Sequence, residues 1–477
     1  MCNSKEHGGR RCEGSSYKRS LKNYNAQRRR AEMAGDTVKA AEMSMKIDGL
    51  REYRKAIPSA RTYTMDLGSN VRTVLEQLYK DGGDPYIVGG SVRDTFLGIA
   101  SKDIDIEVYG LSVDKVIKSL RKIGHVDEVG KSFGVLKITL GGEDFDISLP
   151  RTEQRTGSGH RGFDISVDEN ISLEEASSRR DFTINSIMYS DRASVVSDPH
   201  GGVKDMQDRV LRHVSDAFND DPLRVLRGVQ MVSRFEMRMA DETIAKSQTL
   251  KDEFKYLSKE RIQVEFQKLY SKGKDTSYAF KVLEATEWDK NFPGLSEIND
   301  DDLRRELKEA DRYIKSEKIP DGDTKVSLLA AVSVHRVDDL RERHNLLSYL
   351  TVGDDAKNTA MFLTTTSAPS DLKPSTIKRW VKDLPARISP QLWIQYRSAL
   401  GDDVKDISSA LKMHGVAETP EPDLVNGNDV VQASAGRKPG PWVKQTLDIL
   451  RSKQYDGVFR TREEGLVALK RVLKDGI

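Results

Sequence analysis

The sequence predicts an α+β protein whose strands gather in one early segment and whose helices fill the rest. Short apolar or alternating runs cluster at 86–88, 103–108, 135–140 and 144–149, with glycines between them. From about residue 216 the apolar spacing turns helical and largely stays so. Strands grouped ahead of helices, rather than alternating with them, mark the segregated α+β class. A length of 477 residues allows two to four domains.

Charged residues are 32% and hydrophobic residues 37%, so the chain is charge-rich yet able to bury cores. No run approaches the roughly 20 apolar residues that span a bilayer. The basic N-terminus has no apolar stretch of the secretory kind. With only Cys2 and Cys12, no disulfide framework is expected. These features predict a cytoplasmic protein with no membrane partner. The net charge of +2 does not by itself advertise a polyanion. Residues 1–30, however, carry nine Lys/Arg against Glu6 and Glu13. That tail suits RNA binding by counterion release, or a solubilising arm. Cys2, His7 and Cys12 are spaced like part of a zinc knuckle, but a fourth ligand is not evident. Helix formers from 31 to 55 with a weak apolar face, closed by Pro58, complete an extension, 1–60, outside the core fold.

The first domain is expected over 61–215. A helix near 65–80 precedes the central stretch, 86–110. Tyr86-Ile87-Val88 suits a buried strand, and Gly89-Gly90 ends it where a Cβ would block close backbone approach to a ligand. A helix from about Val92 could begin with N–H groups that cradle a phosphate beside Arg93. In the next strand Asp103 and Asp105 share one face, and Ile104, Ile106 and Val108 the other. Paired carboxylates repel unless a cation lies between them, and Mg²⁺ is the usual one. The plain alternative is a solvated strand with incidental acids. A helix at 113–123 leads to strands 135–140 and 144–149, joined by Gly141-Gly142. Asp144 and Asp146 share a face there. Asp146 is a third carboxylate of the site, or the polar side of a half-exposed strand. Residues 151–170, with Arg155, His160 and Arg161, are polar and Gly-rich, which predicts a mobile loop.

Arg179-Arg180-Asp181-Phe182-Thr183-Ile184-Asn185 reads as helix, with Asp181 and Asn185 at i,i+4 and Arg180 beside them. Such a grouping suits a triphosphate and a ribose, or else is a helix surface with an ordinary ion pair. Asp198-Pro199-His200-Gly201-Gly202 with Asp205 reads as a turn. Asp220, Asp221, Arg224 and Arg227 open a helical region over 216–275, in which Ser258 reads as an N-cap. Over 276–400 the pattern is helical, with a core helix at 328–332. His335 and Asp338 form no His-Asp dyad, and His344 reads as helix surface. In the last segment, 401–477, Val443, Leu447 and Leu450 fall at helical spacing and predict a core face.

In this order the stretches resemble the motifs of the class II tRNA nucleotidyltransferases and bacterial poly(A) polymerases, within the DNA polymerase β superfamily. The resemblance is strong over 86–270 and weak over 420–475, where Gly440-Pro441-Trp442-Val443 is similar to the tail of CCA-adding enzymes. It implies a small mixed-sheet nucleotidyltransferase head, 61–215. An all-helical neck (216–275), body (276–400) and tail (401–477) would follow, the neck recognising the base and the tail gripping tRNA. It implies addition of C, C and A to the tRNA 3′ end from CTP and ATP, by two-metal phosphoryl transfer with Mg²⁺ and no covalent intermediate. Asp103 and Asp105 would bind the metal and carry the catalysis. Gly89, Gly90, Arg93 and Arg180 would hold phosphates, and Asp181 and Asn185 the ribose.

Asp221 and Arg224, with Arg227 nearby, would read the base. Cytosine and adenine each offer an amino donor beside a ring-nitrogen acceptor, which a carboxylate and a guanidinium match. The 151–170 loop would help switch between nucleotides. Asp220 stands where the family usually has Glu, Gln230 where a third arginine is expected, and Lys444 where the tail motif has glycine. Alternatives are a poly(A) polymerase, an enzyme adding only C or only A, or a non-catalytic RNA-binding protein on a transferase scaffold. Intact Asp103, Asp105 and Arg93 oppose the last. A metal-dependent phosphohydrolase domain is not expected. Oligomeric state is not legible.

Overall fold

The computed structural model describes residues 65–474 except 101–102, 129, 131–133, 156–162, 386–387 and 435, together with 29, 30 and 33. The basic extension with Cys2, His7 and Cys12, and His160 and Arg161, therefore lie outside the described residues. The chain forms two compact units.

The first unit spans 65–228 and 236–257. Its elements begin with α1 (Ser69–Lys80), β1 (Asp84–Val88), α2 (Gly90–Phe96), β2 (Asp105–Tyr109) and α3 (Val113–Leu120). Next come β3 (His125–Asp127), β4 (Val135–Leu140), β5 (Glu143–Ser148), β6 (Arg151–Arg155) and β7 (Phe163–Val167). Then follow α4 (Leu173–Ser178), β8 (Met188–Ser190), β9 (Val195–Ser197), α5 (Gly202–Gln207) and β10 (Val210–Leu211). Last are α6 (Leu223–Phe235), which runs on into the second unit, β11 (Arg238–Met239) and α7 (Asp241–Thr249).

Seven strands form one mixed sheet in the order β3-β4-β5-β2-β1-β8-β9. β2 lies at its centre, antiparallel to β1 and parallel to β5. The apolar alternation sets the register. Ile87 faces Ile106, Ile106 faces Ile147, and Ile147 faces Leu136, so one fully buried stripe crosses four strands. Because side chains alternate, the carboxylates between those isoleucines must lie on the other face.

Two expectations about elements are corrected. The 151–170 segment is not simply a loop. β6 and β7 pair antiparallel from Arg151↔Val167 to Arg155↔Phe163. Phe163, Ile165 and Val167 alternate with polar residues, a strand signal that outweighs the surrounding glycines. Nor is 179–185 an α-helix. α4 ends at Ser178, Phe182 bridges His213, and a 3₁₀ turn covers Thr183–Asn185. Phe182, Thr183 and Ile184 are aromatic and β-branched residues that favour extended backbone, and the Thr183 N–H donates to the Arg212 carbonyl at 2.9 Å. The first unit also runs past 215. Val210 and Leu211 pair with Arg238 and Met239, which ties 236–257 to it.

The second unit spans 229–235 and 258–474, and its described elements are helical. Ser258 caps the helix Lys259–Lys272 through its side chain, as expected. Tyr270 is buried and donates to the Ser333 hydroxyl at 2.9 Å. Lys325 is buried on the carbonyls of Ser271 and Gly273 and on Asp321. Gln230, where an arginine was expected, is buried within this unit. His335 pairs with Glu306 at 3.4 Å, and His344 is exposed. Near the C-terminus Val425, Trp442, Leu450, Phe459 and Leu469 form a core, with Val443 and Leu447 packed against it.

Candidate active site

The site grows from the turn between β1 and α2. Gly89 has φ +73° and ψ −134°, a conformation closed to most L-residues. A Cβ on Gly89 would stand 3.3 Å from Arg180 Nη1 and 3.6 Å from Asp105 Oδ2. That glycine therefore opens a notch with a guanidinium on one side and a carboxylate on the other. Gly90 follows, beside Arg93, whose Nη2 lies 3.3 Å from the place a Gly90 Cβ would take.

Asp105 starts β2 on the face opposite the isoleucine stripe. Its strand neighbour across the parallel pairing is Asp146. Asp103 lies two residues ahead of β2 and is exposed, so it is not itself in the strand. Burial, then Asp146 and Asp103, push the Asp105 carboxyl above the usual carboxylate range, against the pull of Arg180 and Arg227. Among the described residues Asp105 has no hydrogen-bond or ion-pair partner. Asp146 lies 3.6 Å from Lys137.

A second group runs through the interior. Arg93 is 7% exposed. Its Nε and Nη2 donate to Asp94 Oδ1 at 2.8 and 2.6 Å, and its Nη1 to Asn185 Oδ1 at 2.5 Å. Asn185 Nδ2 donates to Asp181 Oδ1 at 2.9 Å. Arg227 Nε lies 2.9 Å from Asp181 Oδ2. Positive, amide, negative and positive groups thus alternate along a chain of direct contacts. Burial alone would raise the Asp181 carboxyl, but Arg227, the Asn185 amide and Arg224 outweigh it and hold it below the usual range. Asp181 and Asn185 meet as expected, though through a 3₁₀ turn and not an α-helix. Arg180 does not join them. It lies with Asp105 and Gly89.

Two acidic residues of this region were not singled out from sequence. Asp94 holds Arg93. Glu107, 1% exposed, accepts Arg180 Nη2 at 2.6 Å and has Arg179 Nη2 at 3.7 Å. The signal for Glu107 was available, because the alternation that joins Asp103 and Asp105 continues to it. Asp221 is not on a helix face with Arg224. It precedes α6, with φ −133° and ψ 100°, and accepts the Leu223 N–H at 3.2 Å. Arg224 donates to the carbonyls of Ala217 at 2.6 Å and Arg179 at 2.7 Å. It thereby ties the start of α6 to the Arg179-Arg180 segment.

The 198–205 turn is structural. Asp198 accepts the N–H groups of Gly202 and Val203 at 2.7 and 2.9 Å, and Asp205 accepts the Thr183 hydroxyl at 2.7 Å. Gly228 lets α6 lie against Phe182, since a Cβ there would stand 2.9 Å from the ring.

The first unit is thus a mixed sheet with a carboxylate pair at its centre, flanked by a glycine notch and arginines. Residues 85–212 match the poly(A) polymerase head domain family. The multifunctional CCA protein of Xanthomonas campestris pv. campestris is 38% identical over 198 residues, 40% of this chain and 47% of that protein. That of Aromatoleum aromaticum is 40% identical over 181 residues, 37% of this chain and 42% of that protein. These alignments thus span less than half of the curated relatives. The fold is similar over more of the chain. The Bacillus stearothermophilus CCA-adding enzyme in complex with CTP aligns with a TM-score of 0.64 at 22% identity, over 86% of this chain and 98% of that one. The Thermotoga maritima CCA-adding enzyme complexed with tRNA-CCA aligns with a TM-score of 0.62 at 20% identity, over 85% of this chain and 96% of that one. Over its head the chain is thus similar to the poly(A) polymerase head domain and to multifunctional CCA proteins, and its fold is similar to that of CCA-adding enzymes.

Proposed function

We propose that the protein adds C, C and A to the 3′ end of tRNA from CTP and ATP. The observation that carries the reading is Asp105, an unpaired carboxylate next to Asp146 and Asp103 at the edge of the Gly89 notch. The names of the relatives supply the RNA and the nucleotides.

The residues fit a divalent cation. Burial, then the nearby charges of Asp146 and Asp103, raise the energy of the ionised Asp105, and a cation would remove that repulsion. Among the described residues no three His, Cys, Asp or Glu side chains converge as a complete metal cage. That suits Mg²⁺, which keeps waters and is commonly held by one or two carboxylates plus substrate phosphates. Asp103 and Asp105 would hold it, and Asp146 would add charge nearby. When bound, Mg²⁺ supplies charge neutralisation at the phosphates and a more acidic attacking hydroxyl, in a two-metal arrangement.

The remaining steps fall to the protein. The glycines at 89 and 90 let the triphosphate approach the backbone. Arg180 lies at the notch to meet phosphate charge, and Arg93 holds Asn185 in place for the sugar. Asp181 and Asn185 orient the ribose. The terminal RNA 3′-oxygen attacks the α-phosphorus, the bond to the bridging α–β oxygen breaks, and pyrophosphate leaves. Asp221 and the Arg224 N–H groups not used on main-chain carbonyls read the base. A second reading, poly(A) addition, is favoured by the match of the head to the poly(A) polymerase family.

The test is incorporation of labelled CTP or ATP into tRNA ending at the discriminator base, after C, or after CC, and into an unrelated RNA. CCA addition predicts C on the first two tRNA ends, A only on the third, and nothing on the unrelated RNA. Extended A tracts on any RNA would give the second reading instead.

A further inference from the structure

We infer that Glu107 is a positioning residue that keeps Arg180 off the metal-binding carboxylate Asp105. The inference rests on the reading of Asp105 as a metal ligand. Both residues border the Gly89 notch, Arg180 Nη1 at 3.3 Å and Asp105 Oδ2 at 3.6 Å from the same point. An arginine so close to a lone carboxylate would ordinarily close a bidentate pair with it. Here it does not. Its ion pair is with Glu107, Nη2 to Oε2 at 2.6 Å, and its Nε is buried with no acceptor.

Burial explains the choice. Glu107 is 1% exposed, whereas Asp105 is only partly buried. A buried carboxylate left without its cation is strongly unfavourable, while a carboxylate nearer solvent keeps its hydration. Arg180 therefore satisfies Glu107 first. Tyr109 donates to Glu107 Oε1 at 3.2 Å and fixes the carboxylate, and Arg179 Nη2 lies 3.7 Å from the same oxygen. Two arginines thus share one carboxylate. The local excess of positive charge stays beside the notch, but off Asp105. The β2 alternation builds this arrangement, because Glu107 comes two residues after Asp105 on one face.

Neutralising Glu107 should release Arg180 onto Asp105, where it competes with a divalent cation. The test uses Mn²⁺ as the probe, read by electron paramagnetic resonance on the full-length protein without nucleotide. Glu107→Gln should bind Mn²⁺ about 10-fold or more weakly, the scale expected when a group behind a ligand is altered. Removing Arg180 as well, in Glu107→Gln/Arg180→Ala, should restore binding to near wild type, which a merely structural role for Glu107 would not do. Glu107→Gln binding Mn²⁺ like wild type, or no restoration in the double variant, overturns the inference. Arg180→Lys covers the case in which Glu107→Gln does not fold. It leaves Glu107 in place and should keep Mn²⁺ binding while weakening CTP binding, and a fall in Mn²⁺ binding overturns the inference. Asp105→Asn separates the two readings. If wild type and Asp105→Asn bind Mn²⁺ alike, the metal reading fails and this inference fails with it. If Asp105→Asn alone loses Mn²⁺, only the Glu107 assignment has failed.

Discussion

Asp105 shows how a residue's role follows from what is missing around it. It is partly buried, near two other acids, and without a hydrogen-bond or ion-pair partner among the described residues. Asp103→Ala or Asp105→Ala should abolish nucleotide transfer and leave the unfolding transition intact. Near-normal incorporation by either variant in Mg²⁺ would remove it from the site. Asp221 and Arg224 can be tested by ratio. If they read the base, Asp221→Ala and Arg224→Ala should admit more UMP or GMP relative to CMP, because mispaired buried polar groups otherwise reject by orders of magnitude. Unaltered kcat/KM ratios across the four nucleotides would leave Arg224 only its carbonyl contacts.

Asp311, in the second unit, offers a pH test. Its carboxylate accepts the Thr276 N–H at 2.6 Å and hydroxyl at 3.0 Å, yet burial pushes it up to about 7. The folded state therefore holds a proton that the unfolded chain has released. Its contribution to stability is full below about pH 4 and is lost as pH rises through 7. Asp311→Asn should raise Tm more at pH 8 than at pH 4, and an equal or inverted gain would contradict the assignment.

At this scale the closeness of Asp103 to Asp105 and of Asp181 to Asn185 was legible, because spacing carries it. Glu107 and Asp94 were not singled out. Their importance lies in which arginine each one holds, and that depends on contacts from Arg93 to Asn185 and from Arg180 back to β2 that no local pattern encodes.

Among elements, the central strands and the 198–205 turn were legible, and the 179–185 turn was not. Short apolar and alternating runs predicted β1, β2, β4 and β5 within a residue or two. The parallel pairing of β2 with β5, which brings Asp146 to Asp105, has no local signal. The 179–185 stretch misled because i,i+4 spacing also arises when an extended residue and a 3₁₀ turn fold back on each other. The 198–205 turn yields a direct test of close packing. A Cβ on Gly202 would stand 2.1 Å from the Thr183 carbonyl oxygen, whereas Gly201, at φ +75°, has nothing within 4 Å. Gly201→Ala should cost about 1–2 kcal/mol for its left-handed backbone. Gly202→Ala should cost about 3 kcal/mol or more, since main chain cannot move aside as a side chain can. Chemical denaturation of the two variants checks the order.

For the whole molecule, segregation of strands from helices was legible in the order of the patterns. The division into units was not, because 236–257 joins the first unit through the short β10–β11 pairing and 229–235 belongs to the second. The basic segment ahead of the described fold is tested by truncation. With nine Lys/Arg against two acids in 1–30, deletion of 1–55 should leave turnover at low salt and saturating tRNA unchanged and raise KM for tRNA at physiological salt. Loss of turnover at low salt would make the segment part of the catalytic fold.

The central strands also set a timetable. β1 pairs on one side with β2, which follows almost at once, and on the other with β8, about a hundred residues later. During synthesis the acids of β2 and β5 therefore emerge well before Arg179, Arg180 and Arg227. Glu107 is therefore made before the arginines that pair with it, whereas Asp146 already has Lys137 ahead of it in the chain. Closing a loop of that length adds an entropic barrier that grows only as the logarithm of its span. Arg179 and Arg180 lie just ahead of β8 in the chain, so the strand that completes the far side of β1 and the cations that pair with Glu107 are delivered by the same late stretch.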